Sequence, residues 1–201
     1  MKNVIIIGTG GHAKVVSDIV GLSGDNVFGF LTADLSSASF LNRPVLGLDS
    51  DFEKYPDCFF IIAVGNQYIR EKLCLNMKNC KWYTAIHPRA VISETADVGE
   101  GSVVCAGAVI NPAASVGRHC IINTGAVVEH DDKISDFVHI SVGAHLAGNV
   151  KIGARTMLGI GSCVRNNIAV CNDCVIGAGA VVVRNITEEG TYIGIPAKKT
   201  V

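Results

Sequence analysis

The chain has 201 residues, of which 49% are hydrophobic and only 6% aromatic, and its formal net charge at pH 7 is −1. This length allows one or two domains. The near-neutral charge and the absence of a basic run exclude nucleic acid as the main partner. No apolar run approaches the ~18 residues that a membrane-spanning helix needs, so we expect no membrane as a partner either.

The N-terminal residues and the cysteines indicate the compartment. The stretch before Gly8 holds one lysine and a short apolar run, which is too short for a signal peptide. We therefore expect a cytoplasmic protein whose eight cysteines are reduced thiols. Only Cys171 and Cys174 have a CxxC spacing, and no second pair follows, so we expect no metal site.

Residues 1–83 alternate buried strands, glycine turns and helices. The predicted elements are strands over 4–7, 27–31 and 59–64 and helices over 14–20 and 67–77. The continuous apolar runs are typical of strands that are buried on both faces of a parallel sheet. This alternation predicts a small Rossmann-like α/β domain.

Glycines between the first strand and the first helix indicate a phosphate-binding turn. Residues 8–13, GTGGHA, match the relaxed fingerprint G-x-G-x-x-A, in which backbone N–H groups and the helix dipole attract an anion. Ligands of open α/β sheets bind at the carboxyl ends of the strands. We therefore predict a pocket near Gly10, Thr32 and Gly65. The alternative is that these glycines serve only tight turns and that His12 packs beside its helix.

From residue 86 to residue 182, every sixth position is aliphatic without a slip of register. A six-residue period fits neither a helix nor an alternating strand and is typical of a solenoid of short strands. The seventeen positions are Ile86, Ile92, Val98, Val104, Ile110, Val116, Ile122, Val128, Ile134, Ile140, Leu146, Ile152, Leu158, Val164, Val170, Ile176 and Val182. We predict that they point inward. Four places after each, the residue is Ala, Ser, Thr or Cys in twelve of seventeen cases, and this small residue fits where the core narrows.

A second period of eighteen residues divides this run into coils. Gly-Ala or Gly-Ser pairs recur at 107, 125, 143, 161 and 179, so one coil takes three hexads and its cross-section is a triangle. Glycine or asparagine near each corner tolerates positive φ. We predict an α/β N-terminal Rossmann-like domain over 1–83, followed by a left-handed parallel β-helix of about six coils over 84–201.

His130 is the first candidate for chemistry on the prism. It stands between Glu129 and Asp131, and nearby carboxylates raise the pKa of a histidine and make it a stronger base. Asp131 could hold one ring nitrogen so that the other faces a substrate. The alternative is a solvated turn with mixed charges. His139 lies half a coil further on, so the two histidines could meet only across an interface, which predicts a homotrimer with three sites between subunits.

Sequence runs in both predicted domains carry a family resemblance. They are GTGGH at 8–12, FIIAVGN at 60–66 with IR at 69–70, INT at 122–124, EHD at 129–131, VHISVGA at 138–144, AGNV at 147–150 and GIPAK at 194–198. On these runs the chain resembles the hexapeptide-repeat acyltransferases of the sialic acid O-acetyltransferase and bacillosamine (UDP-4-amino-sugar) N-acetyltransferase type. The resemblance covers essentially the whole chain.

The resemblance implies roles for particular residues. His130 matches the general base and Asp131 the acid that raises its basicity. Positions that match contacts with acetyl-CoA are His139, Ile160 and Ala178. We add Gly148 to this set, because its backbone N–H is a candidate oxyanion donor. Positions that match the site of the nucleotide-sugar acceptor are Gly10, Gly11, His12, Thr32, Ala33, Asp34, Gly65 and Asn123.

The resemblance also implies the activity. We expect direct acetyl transfer from acetyl-CoA, without a metal, to the amine of a nucleotide-linked 4-amino-4,6-dideoxy sugar, with UDP-linked sugars favoured. The main alternative is O-acetylation of sialic acid. Two further alternatives are a trimeric carbonic anhydrase-like enzyme with zinc on His139 and His145, and an NAD-binding domain for which the prism is a scaffold.

Overall fold

The computed structural model describes residues 1–200. The first part of the chain forms an open sheet with helices on both faces. Its elements are β1 (Asn3–Ile7), α1 (Gly11–Leu22), β2 (Asn26–Thr32), β3 (Ser39–Phe40), β4 (Arg43–Leu48), a 3₁₀ helix (Asp49–Lys54), β5 (Phe59–Ile62), α2 (Gln67–Asn76) and β6 (Lys81–Trp82). The strand order is β3-β4-β2-β1-β5-β6, and every pair is parallel except β3 with β4.

Helix α1 begins three residues before the predicted start. Gly10 is its N-cap in an extended conformation, and no side chain caps the helix. Glycine is a poor helix former, which is why the sequence alone places the start after Gly11. The helix buries Ala13, Val16 and Ile19 against the sheet.

The remainder of the chain is the predicted prism. Its strands in chain order are β7 (Ala85–Ile86), β8 (Val91–Ile92), β9 (Asp97–Val98), β10 (Val103–Val104), β11 (Val109–Ile110), β12 (Ser115–Val116), β13 (Ile121–Ile122), β14 (Val127–Val128), β15 (Lys133–Ile134), β16 (His139–Ile140), β17 (His145–Leu146), β18 (Lys151–Ile152), β19 (Met157–Leu158), β20 (Cys163–Val164), β21 (Ala169–Val170), β22 (Cys174–Ile176), β23 (Val181–Val182), β24 (Gly190–Ile193) and β25 (Lys198–Lys199).

These strands form three stacks of eight, six and five, one for each face, in which every pair is parallel except β24 with β25. Successive strands of a face pair in a register of eighteen residues, such as Val103 with Ile121. The left-handed β-helix is confirmed. The first face is longer than the hexad run predicted, because β24 adds to β22 in parallel and β25 then pairs antiparallel with β24.

The inward aliphatic residues fill the prism as predicted from the second coil onward. Fourteen of the seventeen, from Val104 to Val182, are buried. The first three are less buried, and Ile86 is 39% exposed, because they lie in the terminal coil, which has no coil below it.

The corners also differ from the prediction. Positive φ is adopted by Asp131, Phe137 and Arg155 as well as by glycine and asparagine, so side chains stand at corners where the sequence suggested only glycine or asparagine.

The α/β unit packs directly on the prism. One apolar cluster contains Val4 and Ile6 of β1 together with Tyr83, Val103 and Cys105. The division of the chain at residue 83 stays a prediction, because this cluster spans it.

Candidate active site

A cavity of about 340 Å³ opens at the carboxyl ends of β1, β2 and β5. This is the position where ligands bind in open α/β sheets, at the point where the strand order reverses. The cavity brings together six of the eight residues predicted to hold the acceptor: Gly10, Gly11, His12, Thr32, Ala33 and Gly65. The turn that forms its floor needs glycine at position 8, where φ is 114° and a Cβ would lie 3.2 Å from the Ala63 carbonyl oxygen.

The N-terminus of α1 faces open space in this cavity. A Cβ on Gly10 or Gly11 would meet no atom within 4 Å. The first turn contains no acidic residue, and no side chain caps it. The free N–H groups and the positive end of the helix dipole are therefore available to an anion such as a phosphate.

Asp34 and Asn123 do not line this cavity. Asp34 is exposed, and its Oδ1 accepts a hydrogen bond from the Ser36 N–H at 2.9 Å, so the carboxylate belongs to a local turn. Asn123 lies on the prism, where its Nδ2 is 3.2 Å from Nε2 of His139.

His139 and His12 form a shielded pair at the junction of the α/β unit and the prism. Burial lowers the pKa of His139 to about 4, and the charges of Arg70 and His12 act in the same direction. Burial, followed by the charge of Arg70, also lowers the pKa of His12 to about 4. Nε2 of His12 is buried and has no partner within residues 1–200. Both rings are therefore neutral at neutral pH.

Arg70 is the main residue that the sequence analysis did not assign to the site. Arg70 is 1% exposed, and its guanidinium faces carbonyl oxygens on both sides of the junction. Nη1 donates to Val64 and Gly65 at 2.9 and 3.0 Å, while Nε and Nη2 each donate at 2.7 Å, to His119 and Phe137. Arg70 therefore ties the wall of the cavity to the prism. The IR pair of the resemblance was the only signal for it.

His130 lies at a corner of the prism, between β14 and β15. Its side chain is 61% exposed, and Nδ1 is 2.8 Å from Oδ2 of Asp131. The hydrogen bond to Asp131, more than any other interaction, raises the pKa of His130. Asp131 stands at this corner with a φ of 63°, in the left-handed region of backbone conformation.

Gly148 lies one coil beyond His130 and directly against its ring. A Cβ at this position would lie 2.5 Å from both Cε1 and Nε2 of His130. The Asn149 N–H donates to the His130 carbonyl oxygen at 2.9 Å, which holds the two corners together. Gly148 therefore leaves the space that the imidazole occupies.

The remaining predicted residues lie elsewhere on the prism. Ile160 is 62% exposed, and Ala178, eighteen residues further on, is also exposed. His139 begins β16 on the first face beneath the α/β unit, whereas His130 follows β14 on the second face. The two histidines thus belong to different faces of the prism, and no hydrogen bond joins them within the described chain.

The histidines and cysteines do not cluster as a metal site would require. Within residues 1–200, no group of three or more His, Cys, Asp or Glu side chains could hold a metal ion. His139 and His145 stand on different faces, and the buried His119 ring stacks on Phe137, with 5.5 Å between ring centroids.

Neither helix of the described residues is long and apolar enough to cross a membrane.

Comparison with known proteins agrees with this geometry. Residues 3–77 match the family model of the PglD N-terminal domain. A UDP-N-acetylbacillosamine N-acetyltransferase of Bacillus subtilis (strain 168) is 38% identical over 113 residues, which are 53% of this chain and 52% of that protein. The matched region thus spans about half the length of this curated relative.

Two solved structures match over nearly the full length. The acetyltransferase domain of PglB from Neisseria gonorrhoeae FA1090 has a TM-score of 0.94 and 36% identity and covers 100% of both chains. A mutant of the perosamine N-acetyltransferase of Caulobacter crescentus, in complex with CoA and GDP-perosamine, also has a TM-score of 0.94 and 36% identity, over 98% of this chain and 96% of that one. The chain therefore belongs to the hexapeptide-repeat sugar N-acetyltransferase family.

Proposed function

We propose that the chain transfers the acetyl group of acetyl-CoA to the amine of a nucleotide-linked sugar, with His130 as the general base. The observation that carries this proposal is the exposed His130 ring, whose Nδ1 is held 2.8 Å from the Asp131 carboxylate. Because an ionised carboxylate can only accept, Nδ1 carries the proton and Nε2 keeps its lone pair. That nitrogen is then free to take a proton from a substrate.

In the proposed reaction, the sugar amine attacks the thioester carbonyl carbon, and a C–N bond forms as Nε2 of His130 takes the amine proton. Collapse of the tetrahedral intermediate breaks the C–S bond, and the imidazolium returns the proton to the thiolate of CoA. A base positioned in this way contributes ~10²–10⁴ in rate. The Gly148 N–H, which donates to no acceptor within residues 1–200, is the candidate donor to the oxyanion.

The acceptor is proposed to occupy the cavity of the α/β unit. The open N-terminus of α1 suits a diphosphate, which a nucleotide sugar carries and free sialic acid lacks. We assign Gly10, Gly11, His12, Thr32, Ala33 and Gly65 to this acceptor, with Asp34 at its margin and Asn123 beside His139. The UDP-linked 4-amino-4,6-dideoxy sugar is the first acceptor to test. The relatives act on UDP-linked and GDP-linked sugars, so both nucleotides are included.

We further propose a homotrimer with acetyl-CoA between prisms. Val142 and Ile160, which occupy the same corner in consecutive coils, are 43% and 62% exposed in the single chain. Exposed apolar side chains stacked in this way are typical of an interaction surface. A neighbouring prism would bring its His130 and Gly148 toward this corner, leaving acetyl-CoA to contact His139, Ile160 and Ala178.

A cytoplasmic location suits this proposal. All eight cysteines are unpaired, including Cys171 and Cys174, whose Sγ atoms are 3.5 Å apart. Unpaired thiols in such number are typical of a reducing compartment.

The test is an acceptor screen with thiol release from acetyl-CoA as the readout. UDP-, GDP- and dTDP-linked 4-amino sugars and free sialic acid are each supplied with acetyl-CoA, and products are identified by mass. We expect transfer to the amine of one nucleotide-linked sugar. Transfer to sialic acid alone would contradict the proposed acceptor, and failure with every acceptor would contradict the proposed activity.

A further inference from the structure

Asp132 departs from the chemistry of the repeat at the corner that carries His130. It occupies the slot four places after Val128, where twelve of the seventeen hexads have Ala, Ser, Thr or Cys, and it is the only charged residue in any of these slots. Its side chain points inward and is 0% exposed. The small side chains are explained by packing, but a buried carboxyl is not.

Hydroxyl residues in this slot show how the repeat normally uses a polar side chain. The Ser102 hydroxyl accepts from the Cys120 N–H one coil on and donates to the Gly117 carbonyl. Thr156 makes the equivalent pair of bonds, to the Cys174 N–H and the Cys171 carbonyl. In both cases the side chain holds the corner of the next coil.

Asp132 holds its own corner as well as the corner of the next coil. Its Oδ1 accepts from the Val150 N–H at 2.7 Å, the same bond to the next coil that Ser102 makes. A carboxylate has no proton to donate, and Oδ2 instead accepts from the Glu129 N–H at 2.8 Å. Glu129 immediately precedes His130 in the same corner, and Val150 follows Gly148 by two residues. The carboxyl therefore joins the segment carrying the imidazole to the segment against which that ring lies.

The buried carboxyl of Asp132 destabilises the folded chain. Burial, which is the largest effect, raises the pKa of Asp132 to about 7, against the two backbone N–H groups that favour the carboxylate. Removing a carboxyl from water is unfavourable unless its hydrogen bonds compensate, and Ala or Ser fills the same slot elsewhere without that penalty. A destabilising group at one corner of a regular repeat indicates a functional constraint.

We propose that Asp132 is a positioning residue for acetyl transfer, whose carboxyl holds the His130 corner in register with Gly148. The inference rests on the proposed function, since it presumes that His130 acts as the base. Without the bond to Glu129, the corner is free to shift against the next coil. A shift of ~1 Å at a reacting group lowers the rate by as much as ~10²-fold.

The experiment replaces Asp132 with the residues that the repeat itself uses. Asp132→Ser and Asp132→Thr keep an acceptor for the Val150 N–H and lose the bond to Glu129. We expect kcat to fall by ~10-fold or more while the KM values for acetyl-CoA and the acceptor stay close to wild type. Ser102→Ala is the matched control, because it removes a slot hydrogen bond at a corner without His130, and it is expected to leave kcat unchanged.

Three outcomes would overturn the inference. Wild-type kcat in folded Asp132→Ser and Asp132→Thr would do so, and so would an equal loss of kcat in Ser102→Ala. Independently of activity, the crystal structure of the serine variant is expected to show the 129–131 corner displaced from Gly148, and an unmoved corner would also overturn it. If the wild-type protein transfers no acetyl group to any acceptor, the proposed function fails, whereas the displacement still tests Asp132.

Discussion

Among His119, His130, His139 and His145, only His130 has a ring that is both exposed and bound to a carboxylate within residues 1–200. His119 is buried, His139 is shielded beside Asn123, and His145 is exposed but makes no side-chain hydrogen bond in the described chain. Solvent access with a fixed tautomer is the combination that a general base requires. The surroundings of each ring in the fold therefore distinguish four histidines that are chemically identical in the sequence.

Replacing His130 should slow the acetyl-transfer step without weakening the binding of acetyl-CoA. We expect His130→Ala to lower kcat by ~10²–10⁴-fold with little change in the KM for acetyl-CoA, because the ring contributes to the proton transfer rather than to ground-state contacts. Steady-state kinetics with the acceptor found in the screen measures this. His145→Ala is the matched control and should behave as wild type. Near wild-type turnover by His130→Ala would contradict the role of the base.

Asp131 gives a prediction about pH. Its hydrogen bond raises the pKa of His130, and only the unprotonated ring accepts a proton. In Asp131→Asn, the His130 pKa should fall, so the acid limb of the kcat/KM profile should move to lower pH. Asparagine tolerates the positive φ of this corner, which preserves the backbone. Asp97→Asn, an exposed aspartate on β9, is the control. An acid limb that does not move, or that moves to higher pH, would contradict this coupling.

At the scale of elements, α2 is the connection between the cavity and the prism. Arg70 on α2 satisfies carbonyl oxygens of Val64 and Gly65 on one side and of His119 and Phe137 on the other. No carboxylate makes a salt bridge with it in the described chain, so its partners are backbone groups whose positions it fixes. The first turn of α2 is held by Asn66, whose Oδ1 accepts from the Tyr68 and Ile69 N–H groups.

The variant Arg70→Lys tests whether the positive charge of Arg70 or the geometry of its hydrogen bonds is what matters. A lysine ammonium keeps the charge but cannot reach carbonyl groups on both sides, which leaves at least one buried acceptor unsatisfied. We expect a loss of ~1–3 kcal/mol in the free energy of unfolding and a higher KM for the acceptor, since the cavity wall is released. Thermal or denaturant unfolding measures the first effect. Arg165→Lys, on the exposed surface, is the control, and equal stability of the two variants would contradict this role.

At the scale of the whole molecule, the single chain keeps its two reactive regions apart. The cavity, His12 and His139 lie at the junction of the α/β unit with the first face, and His130 stands at a corner that follows the second face. A site that needs both must be completed by another copy, as the proposed homotrimer does.

Mixed oligomers test this directly. His130→Ala lacks the base, and Gly11→Asp places a carboxylate where the acceptor phosphate is proposed to bind, so each homo-oligomer should be inactive. If each site takes its base from one subunit and its cavity from the neighbour, every mixed trimer keeps one intact site of three and should recover about a third of wild-type activity. Co-expression with two affinity tags isolates the mixed species. A 21.1 kDa monomer with full activity in sedimentation would contradict the trimer.

The sequence by itself determined the architecture. A hexad register that holds for seventeen positions can bury its aliphatic side chains only in a triangular prism, and buried strands alternating with glycine turns and helices can pack only as an open α/β sheet. These patterns are local and repeat along the chain, so they can be recognised in the sequence without knowledge of distant contacts. The turns that line the cavity were predictable for the same reason, because ligands bind at the carboxyl ends of parallel strands.

Only the tertiary structure decided which polar residues matter and what surrounds them. The roles of Arg70 and Asp132 each depend on backbone groups that are distant in sequence, which lie 18 to 67 residues away. Asp34 shows the same limitation, because its carboxylate accepts from the Ser36 N–H in a local turn that the sequence did not reveal. Burial, hydrogen-bond partners and the space that Gly148 leaves for His130 depend on the stacking of coils. A one-dimensional pattern contains the register of that stacking but not its side-chain contacts.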